Sequence, residues 1–274
     1  ILWVRNLPAF RPGELVSSGG AVRWLLDPVA WGRTLRTLAV DARSNAVLYG
    51  VVLVVLVGLI LPRRRLGARL TALHDRIEHR YTDRFMYTIQ AGIVTLLLVA
   101  PAPLALAFVG WRLETAEGAE TFGRVLGQGL GYAAAMLTIY GLLRFFALAE
   151  GLGSHLGFQA EPLQALRRQA AWLFAALIPL AVVLTMLFRV PGHEDWKAGL
   201  GRLLFVAQPL LLLVFLAIVL RPDGCVMGPY FHRHPNGWLE RLRFVSYALG
   251  LSIPLVPAVL ALLGYLYAAR QLYV

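Results

Sequence analysis

Few residues in this chain are equipped for chemistry, and they gather at two places. His74 to His79 reads H-D-R-I-E-H, superficially like the zinc-peptidase motifs that set two metal-binding histidines on one helix face. A five-residue step turns the second imidazole about 140° from the first at helical period. The rings diverge, so the motif fails, and solvent or lipid headgroups are the expected surroundings. The second group is Asp223, Cys225, His232 and His234, in R-P-D-G-C-V-M-G-P-Y-F-H-R-H-P. A thiolate, two imidazoles and a carboxylate are zinc ligands by type. With neither paired cysteines nor a zinc-site spacing, the stretch reads instead as a proline-rich turn. His155 and His193 are isolated. No constellation supports catalysis, so neither an enzyme nor a cofactor or metal is expected.

The elements that would position any site are six apolar runs, at about 44–62, 86–111, 124–148, 170–190, 203–220 and 244–268. Each is long enough to cross a hydrocarbon core of about 30 Å as a helix. A span must satisfy its own backbone hydrogen bonds, which favours helices. The fold class is therefore all-α, a polytopic membrane domain with about six transmembrane helices and additional interfacial amphipathic helices. With 58% hydrophobic residues, the soluble globular class is excluded. Ionisable residues deep in a span would mark an ion or proton path, and almost none occur. Arg144 and Glu150 lie near one end of the third run, while Arg112, Arg124 and Arg189 lie at the ends of others.

Charge gives the orientation. Arg63, Arg64, Arg65, Arg69, Arg76, Arg80 and Arg84 fill the first connection, Arg167 and Arg168 the third, and Arg221, Arg233, Arg241 and Arg243 the fifth. The connection from Glu114 to Phe122 has three glutamates and no cation, and 191–202 offers only Lys197 and Arg202. Even with all six tail arginines on the other side, thirteen cations outweigh eight. Cytoplasmic loops collect Lys and Arg, so both ends of the chain are expected outside and the arginine-rich connections in the cytoplasm. The net charge of +11 then points to anionic headgroups rather than nucleic acid. Cys225 is the sole cysteine, so no disulfide framework exists.

Residues 1–26 read as irregular connector. Asp27-Pro28 reads as a helix start, with Asp27 at the N-cap and Pro28 at the first helical position. Trp31, Leu35 and Leu38 follow at spacings of four and three. With Trp24 they suggest a short helix lying flat at the outer interface, anchored by its indoles. Leu66, Leu70, Leu73, Ile77, Tyr81 and Phe85 trace a second amphipathic helix, whose start, Arg63, Arg64 and Arg65, would contact lipid. Pro101, Pro103, Pro179, Pro209, Pro254 and Pro257 interrupt the spans and read as packing features of a bundle. Gly123, Gly127 and Gly131, followed by Ala135, put small residues on one face and let another helix approach closely. The chain thus divides into a connector and interfacial helix at 1–43 and a six-span domain at 44–274. It opens on Ile1 with no secretory signal before the tail, as expected of a piece of something longer.

Several stretches together resemble the inner-membrane domain upstream of the pore in large mechanosensitive channels of the MscK/KefA type, in the small-conductance mechanosensitive channel superfamily. They are W-L-L-D-P-V-A-W at 24–31, R-R-R-L-G-A-R-L-T-A-L at 63–73 and T-D-R-F-M-Y-T-I-Q-A at 82–91. L-A-E-G-L-G-S-H-L-G-F at 148–158, R-R-Q-A-A-W-L at 167–173 and G-Y-L-Y-A-A-R-Q-L at 264–272 continue the pattern. The resemblance implies a bacterial inner-membrane location, a preceding periplasmic region and a homo-oligomer. It also implies a pore helix and a cytoplasmic vestibule elsewhere in the polypeptide, which together with membrane lipids would be the partners. No long Gly/Ala-rich pore helix followed by a soluble domain is present here, so the implied role is an accessory module rather than the conducting unit. The rival expectations are a small-molecule transporter, with ligand at Gln128, Thr138 and Tyr140, and a passive membrane anchor.

Overall fold

The computed structural model describes residues 5, 7–8, 18–63, 84–146, 160–222, 224, 226–228 and 242–273. The amphipathic segment at 66–83 with its two histidines, Arg64 and Arg65, Glu150, His155, and Asp223, Cys225, His232 and His234 lie outside the described residues. Among the described residues the secondary structure is helical, with no strand.

Helix α1 (Gly19–Leu25) leads into α2 (Pro28–Ser44). Asp27 caps α2 as its sequence suggests: the Val29 amide donates to Asp27 Oδ1 at 2.9 Å, and Pro28 takes the first helical position, where its missing N–H costs nothing. The chain then turns by 95° into α3 (Ala46–Ile60). Asn45 makes that corner, at φ −115° and ψ 36°. The two helices differ in kind. α2 carries arginines among its apolar residues, whereas α3 is apolar all round, with Val47, Leu53, Val54 and Ile60 exposed. An apolar, exposed surface of that breadth belongs in lipid.

Helices α4 (Arg84–Val99) and α5 (Pro101–Thr115) meet at a 49° bend, where Pro101 starts a new helix. α6 (Thr121–Phe146) is the central helix, packed between α5 and α7 (Ala160–Arg189). A single turn at Glu194–Trp196 and a π-helical stretch at Lys197–Gly201 precede α8 (Arg202–Val219). α9 (Arg243–Leu262) and α10 (Leu266–Tyr273) complete the chain. By length and composition, four helical segments are apolar enough to cross a membrane, or up to six if each bent pair counts as one span. The last apolar run stops short of its expected end: α9 finishes at Leu262, and Gly264 turns the chain with φ 99°. Its carbonyl accepts from the Leu7 amide at 3.2 Å, and a Cβ there would collide with the Leu7 carbonyl, so only glycine fits. Pro209 and Pro254 are fully buried, within the bundle where α8 packs on α9.

Two landmarks set the scale. Gly141 packs directly on Val99, and it lies twenty residues along α6 from Thr121, or about 30 Å. The Ala100 bend therefore falls one hydrocarbon thickness from the α6 N-terminus. At that N-terminus the arginine-poor connections meet. Trp24 lies edge-on to Phe122 (5.0 Å, 66°) and 5.6 Å from Trp196, while Ala30, Leu113, Phe122, Val125, Leu126 and Met186 form the core beneath them. A second core joins α8, α9 and α10 through Phe205, Val206, Ala258, Ala261, Leu266 and Ala269.

Candidate functional site

Among the described residues, the polar group with the most side-chain hydrogen bonds sits at the α2–α3 corner. Asp41, on the last turns of α2, is 7% exposed and accepts four side-chain hydrogen bonds. Arg112, near the end of α5, donates through Nε to Oδ2 at 2.8 Å and through Nη2 to Oδ1 at 2.5 Å. The Tyr49 hydroxyl, from the first turn of α3, donates to Oδ2 at 2.8 Å, and Asn45 Nδ2 donates to Oδ1 at 3.0 Å. One carboxylate thus ties three helical segments together. A bidentate Arg–carboxylate pair fixes orientation as well as distance.

The shell around this group is aromatic. The Trp111 ring lies 5.0 Å below the Arg112 guanidinium, and Phe108 stacks edge-on to Tyr49 at 4.9 Å. α2 lies outside the spanning segments, and the hydrogen bond from Arg112 holds the Asp41 carboxyl below its ordinary value of 3.8, against the opposing pull of burial. The pair is therefore ionised at neutral pH. Asn45 adds the local reason for the corner: its backbone and side-chain N–H groups both reach the Asp41 carbonyl, at 2.9 and 3.3 Å. That closes α2, while the Asn45 carbonyl accepts from the Tyr49 amide and opens α3.

A second feature fixes α5 to α6. A Cβ on Gly127 would stand 2.5 Å from the Gly110 carbonyl, and one on Gly110 would stand 2.7 Å from the Gly127 carbonyl. The two backbones are in direct contact, and neither can yield as a flexible side chain would. Gly123 meets Thr34 of α2 at 3.5 Å, ordinary contact, and Gly131 has open space at its Cβ position. The three glycines of the α6 face thus serve different neighbours. Gly129, on another face, is tight against Val182 of α7.

The remaining sequence-derived residues are placed as follows. Trp24 is half-buried between Phe122 and Trp196. Trp31 is 39% exposed, donates its indole N–H to the Leu25 carbonyl at 2.9 Å, and lies edge-on to Phe122. The α2 face that packs inward is Ala30, Thr34, Leu38 and Asp41, whereas Leu35 points away from the core. Arg63 donates to the Leu98 carbonyl at 2.8 Å, far from the corner. Gln128 donates to Glu114, Thr138 to the Ala134 carbonyl, and Tyr140 stacks near Phe174. His193 stacks on Trp196 at 3.7 Å. Arg202, a loop cation by sequence, is fully buried and donates to the Pro8 carbonyl. Asp41, Asn45, Tyr49 and Gly110 carry the two junctions without having been singled out by sequence. A signal exists for the first three: they recur at i, i+4 and i+8, a polar line running straight through the boundary between an amphipathic segment and an apolar one.

Helices this long and apolar, packed through glycine contacts and bent at capped corners, define a polytopic membrane domain. Residues 46–274 match the model of the family described as mechanosensitive ion channel inner membrane domain 1. The chain belongs to that family. No curated protein and no solved structure gave a match.

Proposed function

We propose that this chain is an accessory membrane module of a homo-oligomeric mechanosensitive channel, resident in the bacterial inner membrane, that couples bilayer tension to a pore encoded elsewhere in the polypeptide. In this reading it contributes to protection against hypoosmotic shock, carries no catalytic or cofactor chemistry, and has both ends on the periplasmic side. Its partners are lipid, the pore helix, the cytoplasmic vestibule and further copies of itself.

The observation that carries the proposal is the clamped corner. A stimulus shifts a two-state equilibrium only through its differential interaction with the two states, and tension favours the state of larger in-plane area. A sensing helix must therefore lie along the membrane plane and be joined stiffly to helices that cross it. α2 turns 95° from α3, and the Asp41–Arg112 pair locks that turn onto α5. α5 in turn is joined to α6 by backbone contact at Gly110 and Gly127. Movement of α2 with the outer leaflet is thereby delivered to the bundle instead of being absorbed at a loose hinge.

Patch-clamp of the full-length channel tests it. Deleting this module, or enlarging Gly127 to leucine, is expected to change the tension threshold. An unchanged threshold would reduce the module to an anchor. The chain reconstituted alone is expected to pass no current, and stepwise currents would assign it the pore.

A further inference from the structure

At the end of the bundle opposite the corner, α7, α8 and α9 leave a cleft of about 540 Å³, and its lining includes Arg168, Gln169, Ile218, Arg221, Phe244 and Tyr247. Its chemistry divides in two. Ile218 and Phe244 are exposed apolar side chains, continuous with helix faces that belong in hydrocarbon. Arg168 and Arg221 supply two guanidinium groups, and Arg243 adds a third beside the cleft, 4.8 Å over the Phe244 ring. Among the described residues none of these three arginines forms an ion pair. Gln169 accepts from the Trp172 indole at 2.6 Å, which leaves its amide hydrogens as donors. Among the described residues no carboxylate lines the cleft.

The depth matches as well. Arg168 lies twenty-one residues along α7 from Arg189, and Arg221 nineteen residues beyond Arg202. At 1.5 Å per residue both lie about 30 Å from the other end of the bundle, the thickness of a hydrocarbon core. The cations therefore stand at headgroup level, with the apolar wall beside them.

We infer that this cleft binds an anionic phospholipid of the leaflet it faces. The phosphate lies between Arg168 and Arg221, and an acyl chain runs along Ile218 and Phe244. Basic pockets between membrane helices hold such headgroups by charge-assisted hydrogen bonds. The site rests on the proposed orientation only for naming the leaflet as the inner one. Lipid binding needs no pore and no gating, so it fails or stands independently of the channel role.

The test uses the purified chain in nanodiscs of phosphatidylcholine with a small fraction of phosphatidylglycerol, reading phosphatidylglycerol retention by native mass spectrometry. The chain is expected to retain phosphatidylglycerol over phosphatidylcholine. Replacing both guanidiniums, R168Q with R221Q, should weaken retention about 30-fold, from about fivefold per charge. Arg36→Gln at the opposite end should leave it unchanged. Ala217→Phe keeps both charges and fills the cleft, so its loss of retention would confirm the site even where the double variant misfolds. Equal retention of both lipids, retention unaffected by the cleft variants, or its displacement by millimolar inorganic phosphate would each overturn the inference.

Discussion

The two ends of this bundle handle positive charge in opposite ways. At the corner end, among the described residues, four cations have an acceptor inside the protein. Arg112 has Asp41, Arg33 has Glu120 at 3.2 Å, Lys197 has Glu194 at 2.6 Å, and Arg202 donates to the Pro8 carbonyl. At the other end, among the described residues, Arg168, Arg221 and Arg243 have no carboxylate, and Arg63 has only the Leu98 carbonyl. A folded chain completes its own electrostatics where geometry must be held. Where charge serves orientation in the bilayer, the headgroups complete it. Geometry is therefore stored at one end, and the inferred lipid site lies at the other.

The largest effect expected from breaking this contrast is at Asp41. Asp41→Asn keeps the shape but strands the Arg112 guanidinium, 12% exposed, without a counter-ion. That should cost about 3–5 kcal/mol, against a much smaller loss when both partners become apolar, as in Asp41→Leu with Arg112→Met. Chemical denaturation in detergent measures the three variants. If the single and double variants lose the same stability, the pair is a bystander and the corner is held by packing. Acid gives an independent handle. Because the Asp41 carboxyl is held below 3.8 in the folded state, its contribution is fully present above that value and is lost as pH falls through the lower folded one. The gap between wild type and Asp41→Asn should stay constant from pH 8 to about 5 and narrow only below about 4.

Gly127 should give the next largest effect. Gly127→Ala drives a methyl group into the Gly110 carbonyl and should cost about 1–3 kcal/mol, as overpacking does. Gly131→Ala, one turn on with open space, should be neutral or gain up to about 1 kcal/mol from helix propensity. Equal losses at both positions would mean that the whole glycine face is one interface, made with a helix outside this chain. That outcome would sharpen the picture of assembly as much as it would correct the packing.

How much of this was legible differs by interaction range. The apolar runs, their helical state and the Asp27–Pro28 start follow from patterns of a few residues, and the structure has helices there, four to six of them candidate spans. The Asp41–Arg112 pair joins residues 71 apart. In the sequence Arg112 looks like any other cation at the end of an apolar run. Nothing local states that it is buried rather than reaching for headgroups, because that choice belongs to the folded packing of α5 against α2. Gly110 is invisible for a related reason. A lone glycine in an apolar run has no period, and it acquires meaning only when Gly127 arrives opposite it. The run of glycines at 123–131 was conspicuous by spacing, yet spacing does not say which member touches another backbone. The end of the last span was misread because Gly264 lies inside continuous apolar sequence. The turn is enforced by Leu7, which is 257 residues away.

The smallest expected effect tests whether burial, rather than pairing as such, gives the corner its stiffness. Arg33 and Glu120 join α2 to the start of α6 with the same charges as Asp41 and Arg112, but their side chains are 59% and 46% exposed. Water screens such a pair, and ordering two long side chains opposes the Coulomb gain. Arg33→Gln should therefore change stability by less than about 1 kcal/mol, and added salt should erase even that difference, while the loss in Asp41→Asn persists in salt because that pair is shielded from solvent. A salt-insensitive loss in Arg33→Gln comparable to that of Asp41→Asn would mean that the α2–α6 contact is shielded in the membrane. The interfacial helix would then be held at two points along its length, and the stiff element would be the whole of α2 rather than its final turn.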